Sequence, residues 1–188
     1  MSAKLVRSSI TPNQISVASI GFSAIGGLAL VFVVPWLGLI VCILCIQARL
    51  LCNLLDGMVA IEGGKKSALG TIYNEFPDRI ADSFLLVALG YATPYPFLGW
   101  FCALAAALTA YVRVFGGSLG LAQSFKGPMA KQHRMAIMTI GCVLSLIENF
   151  TSSTNYALPC AALIIAVGSL ATCVTRTVAI AQLLRAQA

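Results

Sequence analysis

Apolar residues run through this chain in long, nearly unbroken stretches, without the every-second-residue alternation of a half-buried strand. The stretches at 14 to 34, 37 to 60, 68 to 92, 97 to 120, 132 to 149 and 157 to 183 approach or exceed the roughly 20 residues that a helix needs to cross a ~30 Å hydrocarbon core. A transmembrane β-barrel would instead show alternating segments of about 10 residues, and runs such as LGLIVCILCIQARLLCNLL do not alternate. The pattern predicts an all-α integral membrane protein of six transmembrane helices, in one domain spanning residues 1 to 188.

The punctuation between the stretches agrees with this. TPNQ at 11 to 14 reads as a helix start, with Thr11 as N-cap, Pro12 in the first turn and Gln14 closing a capping box. The first stretch lacks a small-x-small cleavage site and is expected to be a retained span. Pro35 opens the second stretch, and the glycines of EGGKKS turn the chain back toward the third.

Composition sharpens the class. The 188 residues are 59% hydrophobic and only 10% charged, with a mean hydropathy of +0.92, which excludes an ordinary soluble domain. The net charge of +6 comes from twelve basic residues, none of them in the short connections near Pro35, 93 to 99 and 150 to 156. Basic residues mark cytoplasmic loops. Both termini and the loops at 61 to 66 and 121 to 131 are therefore expected on the cytoplasmic side, most simply of a bacterial inner membrane, and the positive charge does not signal nucleic acid. The seven cysteines are scattered through the spans and read as small buried hydrophobes, the CILC pair included. The small residues of GFSAIGG, at 21 to 27, predict close helix approach.

The acids break the pattern. Five of the six carboxylates fall between residues 53 and 82. In the second stretch Arg49, Asn53, Asp56 and Ala60 share one helical face, and in the third Gly70, Asn74, Asp78 and Asp82 do so. Charges facing lipid would cost about 2.5 to 3.5 kcal/mol each near the bilayer centre, so these faces must look into a cavity or toward one another. Either ion pairs with Arg49 and Arg79 or a functional site would satisfy them. Oxygen ligands without histidine or cysteine suit Mg²⁺ or Mn²⁺, and the basic residues of the same expected layer suit a phosphate-bearing substrate.

With these residues in view, the chain resembles the CDP-alcohol phosphatidyltransferase family. The family signature D-x2-D-G-x2-A-R-x8-G-x3-D-x3-D aligns without a gap as Asn53, Asp56, Gly57, Ala60, Ile61, Gly70, Asn74 and Asp78. The opening TPN, the Tyr111 and Arg113 pair and the KQHR at 131 to 134 are also similar. The resemblance implies transfer of a phosphatidyl group from a CDP-diacylglycerol-like donor to an alcohol acceptor, with release of CMP, by a homodimer. It implies metal binding at Asn53, Asp56, Asn74 and Asp78, with Asp78 also the general base, and nucleotide contact at Gly57, Ala60 and Gly70.

Three positions depart from the signature: Asn53 and Asn74 replace aspartates, and Ile61 replaces the arginine. Four motif charges thus become two, and the count of divalent ions, one or two, stays open. Mg²⁺ manages with one or two carboxylates plus substrate phosphates, while Glu75 and Asp82 are further sources of charge. Lys65 or Lys66 would replace the missing arginine, and Arg113, Lys131 and Arg134 would hold a phosphate on the acceptor. His133 reads as interfacial, and Arg176 as a membrane anchor. Two rival readings follow from the same residues: a catalytically silent relative that binds nucleotide or lipid, and an ion or proton carrier using Asp56, Asp78 and Asp82.

Overall fold

The computed structural model describes residues 10 to 65, 68 to 151 and 154 to 187. These form six helices: α1 (Pro12–Phe32), α2 (Pro35–Glu62), α3 (Gly70–Tyr91), α4 (Pro96–Ser118), α5 (Lys131–Thr151) and α6 (Ala157–Gln187). No strand occurs among the described residues. All except α3 are long and apolar enough to cross a membrane. At α3 the side chains of Asn74, Glu75, Asp78, Arg79 and Asp82 dilute the apolar character.

The helix ends follow from local chemistry. Thr11 caps α1 through the reciprocal bonds of a capping box, Gln14 N–H to Thr11 Oγ1 at 3.3 Å and Thr11 N–H to Gln14 Oε1 at 3.0 Å. Proline occupies the first turn of α1, α2 and α4, where its missing N–H costs nothing. At the start of α6, Glu148 accepts from the backbone N–H groups of Tyr156 at 3.2 Å and Ala157 at 3.1 Å, satisfying donors that a helix start leaves over.

The chain divides into two compact units, Met1–Ala88 and Leu89–Ala188. In the first, glycines let α1 approach its neighbours, as the small-residue run predicts. A Cβ on Gly26 would stand 2.8 Å from Cys45 Cβ, and one on Gly27 would stand 3.1 Å from Ala88 Cβ. Ile46, Val59, Leu85 and Leu86 are fully buried in this unit. The second unit buries Cys102, Met135, Met138, Cys142, Ala162 and Ile165, and Cys102 donates its thiol to the Ala162 carbonyl at 3.2 Å. The cysteines are free, as expected of apolar filler.

Close packing at Gly26 makes a specific forecast. Gly26→Val should destabilise the protein by about 1 to 3 kcal/mol through overpacking, seen as a lower melting midpoint in detergent. Gly21→Ala should not lower it, because a Cβ there meets nothing within 4 Å.

Candidate functional site

The first unit holds a cavity of about 390 Å³ where the first turns of α1, the last turns of α2 and the first turns of α3 meet. It is lined by Pro12, Asn13, Ser16, Asn53, Asp56, Gly57, Ala60, Lys65, Gly70, Thr71 and Asn74. The helical spacing of the motif thus puts Asn53, Asp56, Gly57 and Ala60 across from Gly70 and Asn74, on one opening. Lys65 also lines it and donates from Nζ to the Ile10 carbonyl at 3.3 Å. Lys66 lies outside the described residues. A Cβ on Gly57 would meet nothing within 4 Å, so the glycine leaves bare backbone facing open space.

Asp56 is 8% exposed and accepts from Ser16 Oγ at 2.6 Å. Asn13 and Ser16 are site residues that the motif does not reach, since they lie on α1, some forty positions away in the chain. The signal in the sequence is their place just inside the capped TPNQ start, whose first turns feed the cavity.

Asp78 departs from the expected ligand set. It is not among the cavity-lining residues; it is 7% exposed, with Oδ1 3.7 Å from Arg49 Nη2 and Oδ2 3.9 Å from Arg79 Nη2. Asp82, buried to 1%, makes the tighter pair with Arg49 Nη2 at 2.6 Å. The acids divide by depth: Asp56 borders the cavity, while Asp78 and Asp82 form ion pairs one and two turns beyond Asn74. Pro77, inside α3, lacks the N–H that would bond the Tyr73 carbonyl, which loosens the helix at this step.

Among the described residues no group of three or more His, Cys, Asp or Glu side chains is arranged to hold a metal. The cavity instead presents one carboxylate, Asp56, with the amides of Asn53 and Asn74. Such a set of oxygens fits a hard divalent cation that completes its shell with water and substrate phosphates.

The other expected phosphate contacts belong to the second unit. Arg113 donates from Nη1 to Gln123 Oε1 at 3.1 Å and lies 5.1 Å from the centroid of the Phe125 ring. Lys131 begins α5. Arg134, expected beside it at an acceptor phosphate, is only 1% exposed and donates from Nη1 to the Met129 carbonyl at 2.9 Å and to Thr109 Oγ1 at 3.4 Å. Arg176, expected as an interfacial anchor, is 5% exposed and bonds the Lys126 carbonyl at 2.9 Å and the Thr109 carbonyl at 2.6 Å. These two arginines hold the segment between α4 and α5 by its backbone, and burial removes Arg176 from the anchoring role. His133 is exposed, as expected, and bonds the Pro128 carbonyl through Nδ1 at 2.9 Å.

Comparison with known proteins agrees with the motif. No family model matches the chain. The inner membrane protein YnbA of Escherichia coli strain K12 is 28% identical over 138 residues, 71% of this chain and 67% of that protein. The phosphatidylinositol phosphate synthase of Streptomyces avermitilis is 28% identical over 136 residues, 68% of this chain, which spans 56% of that relative's length. The fold matches that of Mycobacterium tuberculosis phosphatidylinositol phosphate synthase in complex with manganese and citrate, with a TM-score of 0.79 and 22% identity over 95% of this chain and 86% of that one. The same enzyme with CDP-DAG bound gives a TM-score of 0.79 at 22% identity, covering 95% of this chain and 90% of the other. Taken together, these likenesses show the fold of the Mycobacterium tuberculosis enzyme and a sequence similarity to an inner membrane protein and a phosphatidylinositol phosphate synthase, in keeping with the gapless motif.

The arginine-held segment yields a test of its own. Arg176→Met removes the donors to two carbonyls, at about 1 to 3 kcal/mol for each buried group left unsatisfied. The melting midpoint should fall, and limited proteolysis in detergent should cut faster within residues 119 to 130.

Proposed function

We propose that the protein transfers a phosphatidyl group from a CDP-linked lipid to an alcohol, releasing CMP. The observation that carries this reading is a cavity whose walls hold eight residues of the motif region, Asn53, Asp56, Gly57, Ala60, Lys65, Gly70, Thr71 and Asn74, with Gly57 facing open space. The similar proteins, phosphatidylinositol phosphate synthases of which one has CDP-DAG bound, support the donor class.

The diphosphate of the donor lies in this cavity against the bare backbone at Gly57, with the Lys65 ammonium offsetting its charge. A divalent ion, Mg²⁺ or Mn²⁺, held by Asp56 and the carbonyl oxygens of Asn53 and Asn74, would polarise the diphosphate and stabilise the departing CMP. A relative's complex with manganese is in keeping with such an ion. Ser16 fixes the Asp56 carboxylate, so that its second oxygen keeps a constant direction. The acceptor hydroxyl attacks the phosphorus that carries the lipid; the bond from that phosphorus to the CMP oxygen breaks, and CMP leaves with the electron pair. Asp78, on the Asn74 face one turn further along α3, receives the hydroxyl proton. The surplus of basic residues in the chain favours an acceptor that carries a phosphate of its own. In this reading the cavity and both termini are cytoplasmic, which the distribution of basic residues supports.

One observation favours a second reading. Asn53 and Asn74 occupy two ligand positions, and Asp78 is engaged by Arg49 and Arg79, which is how a silent relative that still binds the CDP-lipid would look. CMP release by purified protein with CDP-diacylglycerol, Mn²⁺ and a pool of phosphorylated alcohols separates the two. The transferase reading expects metal-dependent release that falls about a hundredfold or more in Asp56→Ala and Asp78→Ala. Binding of the donor without release would establish the silent relative, and absence of both would sink the assignment.

Two further variants probe the donor cavity. Gly57→Ala should leave the melting midpoint unchanged or raised, since alanine favours helix by about 1 kcal/mol, while weakening CDP-diacylglycerol binding because the methyl occupies the open space. Ile61→Arg, restoring the signature's cation at an exposed position, should tighten donor binding in the same titration.

A further inference from the structure

Beneath the cavity, α2 and α3 share a charge cluster centred on Arg49, which is completely buried. Its Nη2 lies 2.6 Å from Asp82 Oδ1 and 3.7 Å from Asp78 Oδ1, and Arg79 flanks the other oxygen of Asp78 at 3.9 Å. The remaining nitrogens of the guanidinium, Nε and Nη1, are buried and have no hydrogen-bond partner. Leaving two such donors unsatisfied is costly, and a residue kept only for tying helices together would be expected to use them. What the arrangement does secure is a positive charge directly against two carboxylates.

Asp78 and Asp82 lie one turn apart on α3, where like charges repel. With no cation between them they would be a place for a divalent ion. Arg49 fills that place with a charge already attached to the chain, so no ion has to be recruited. The charges of the cluster and cavity then count as three carboxylates (Asp56, Asp78, Asp82) against two guanidiniums and one ammonium (Arg49, Arg79, Lys65), with neutral amides at Asn53 and Asn74. Asp78 and Asp82 are thus matched within the cluster by Arg49 and Arg79, and Asp56 is the carboxylate that lines the cavity.

We propose that Arg49 is a fixed internal cation that takes the electrostatic place of a second metal ion, so that this protein binds one divalent ion, at Asp56, Asn53 and Asn74. The proposal rests on the transferase reading of the cavity and deepens it. Arg49 is then a positioning residue that acts through Asp78, holding the carboxylate in place for the acceptor without a metal beside it. The two asparagines and the buried arginine become parts of one change: charge removed from the ligand positions and charge neutralised below them.

The test is the number of Mn²⁺ ions bound per chain by purified protein in detergent with CDP-diacylglycerol present, measured by isothermal titration and by the paramagnetic resonance of the bound ion. Wild type should bind one. Arg49→Gln should bind a second ion or hold the first at least about tenfold more tightly, because the repulsion between the guanidinium and the divalent ion is removed. Arg49→Lys, which keeps the charge, should behave as wild type. If Arg49→Gln does not fold, Asp82→Asn serves instead: it leaves the guanidinium less compensated and should weaken Mn²⁺ binding severalfold. Two ions in wild type, or unchanged binding in Arg49→Gln or its Asp82→Asn substitute, would overturn the proposal. Two ions with CMP release intact would do so while sparing the transferase, whereas no bound ion and no CMP release would remove both.

Discussion

The buried pair between Arg49 and Asp82, 2.6 Å apart and almost sealed from solvent, is the constraint on which the first unit depends. Polar side chains on a helix among apolar neighbours must find partners inside the protein, and α3 carries four charged ones, Glu75, Asp78, Arg79 and Asp82. By meeting Asp82 and Asp78, Arg49 obliges the polar face of α3 to turn toward that of α2. Once those faces are opposed, the residues a turn or two nearer the helix ends, Asn53 and Asp56 on one side and Gly70 and Asn74 on the other, necessarily border a common opening. Removing either partner of such a pair would strand a buried charge at a cost of about 3 to 5 kcal/mol, so the cavity and the cluster below it stand or fall together.

Much of this was legible in the sequence because helices impose a fixed period. The spacings of three and four between Arg49, Asn53, Asp56 and Ala60 and between Gly70, Asn74, Asp78 and Asp82 determine which residues share a face, and the structure keeps those faces. Helix boundaries were legible too, since Pro12, Pro35 and the glycines after Glu62 act locally. Periodicity cannot tell how far down a shared face the cavity extends. Asp78 therefore read as a cavity ligand, while the structure gives it to Arg49 and Arg79. Nor does it reveal a partner on another helix, which is why Ser16, with its 2.6 Å bond to Asp56, went unseen.

The basic residues teach a related lesson in the second unit. Arg134 and Arg176 contribute to the charge asymmetry that orients the chain, and this led to the expectation that they face water or phosphate. Both are instead buried and bond the backbone carbonyls of Met129 and Lys126, converging on Thr109. A guanidinium has five N–H donors in a rigid fork, which lets one side chain satisfy several carbonyls of an irregular segment that has no helical partners. Arg113, by contrast, keeps the surroundings expected of an accessible cation, half-buried over Phe125.

The central claim is that the cavity between the start of α1, the end of α2 and the start of α3 receives the diphosphate of a CDP-lipid. Manganese anomalous diffraction from crystals grown with CDP-diacylglycerol would test it most directly. The account expects an anomalous peak against Asp56, Asn53 and Asn74, with the diphosphate beside Gly57. A diphosphate bound elsewhere, with no peak at Asp56, would contradict it.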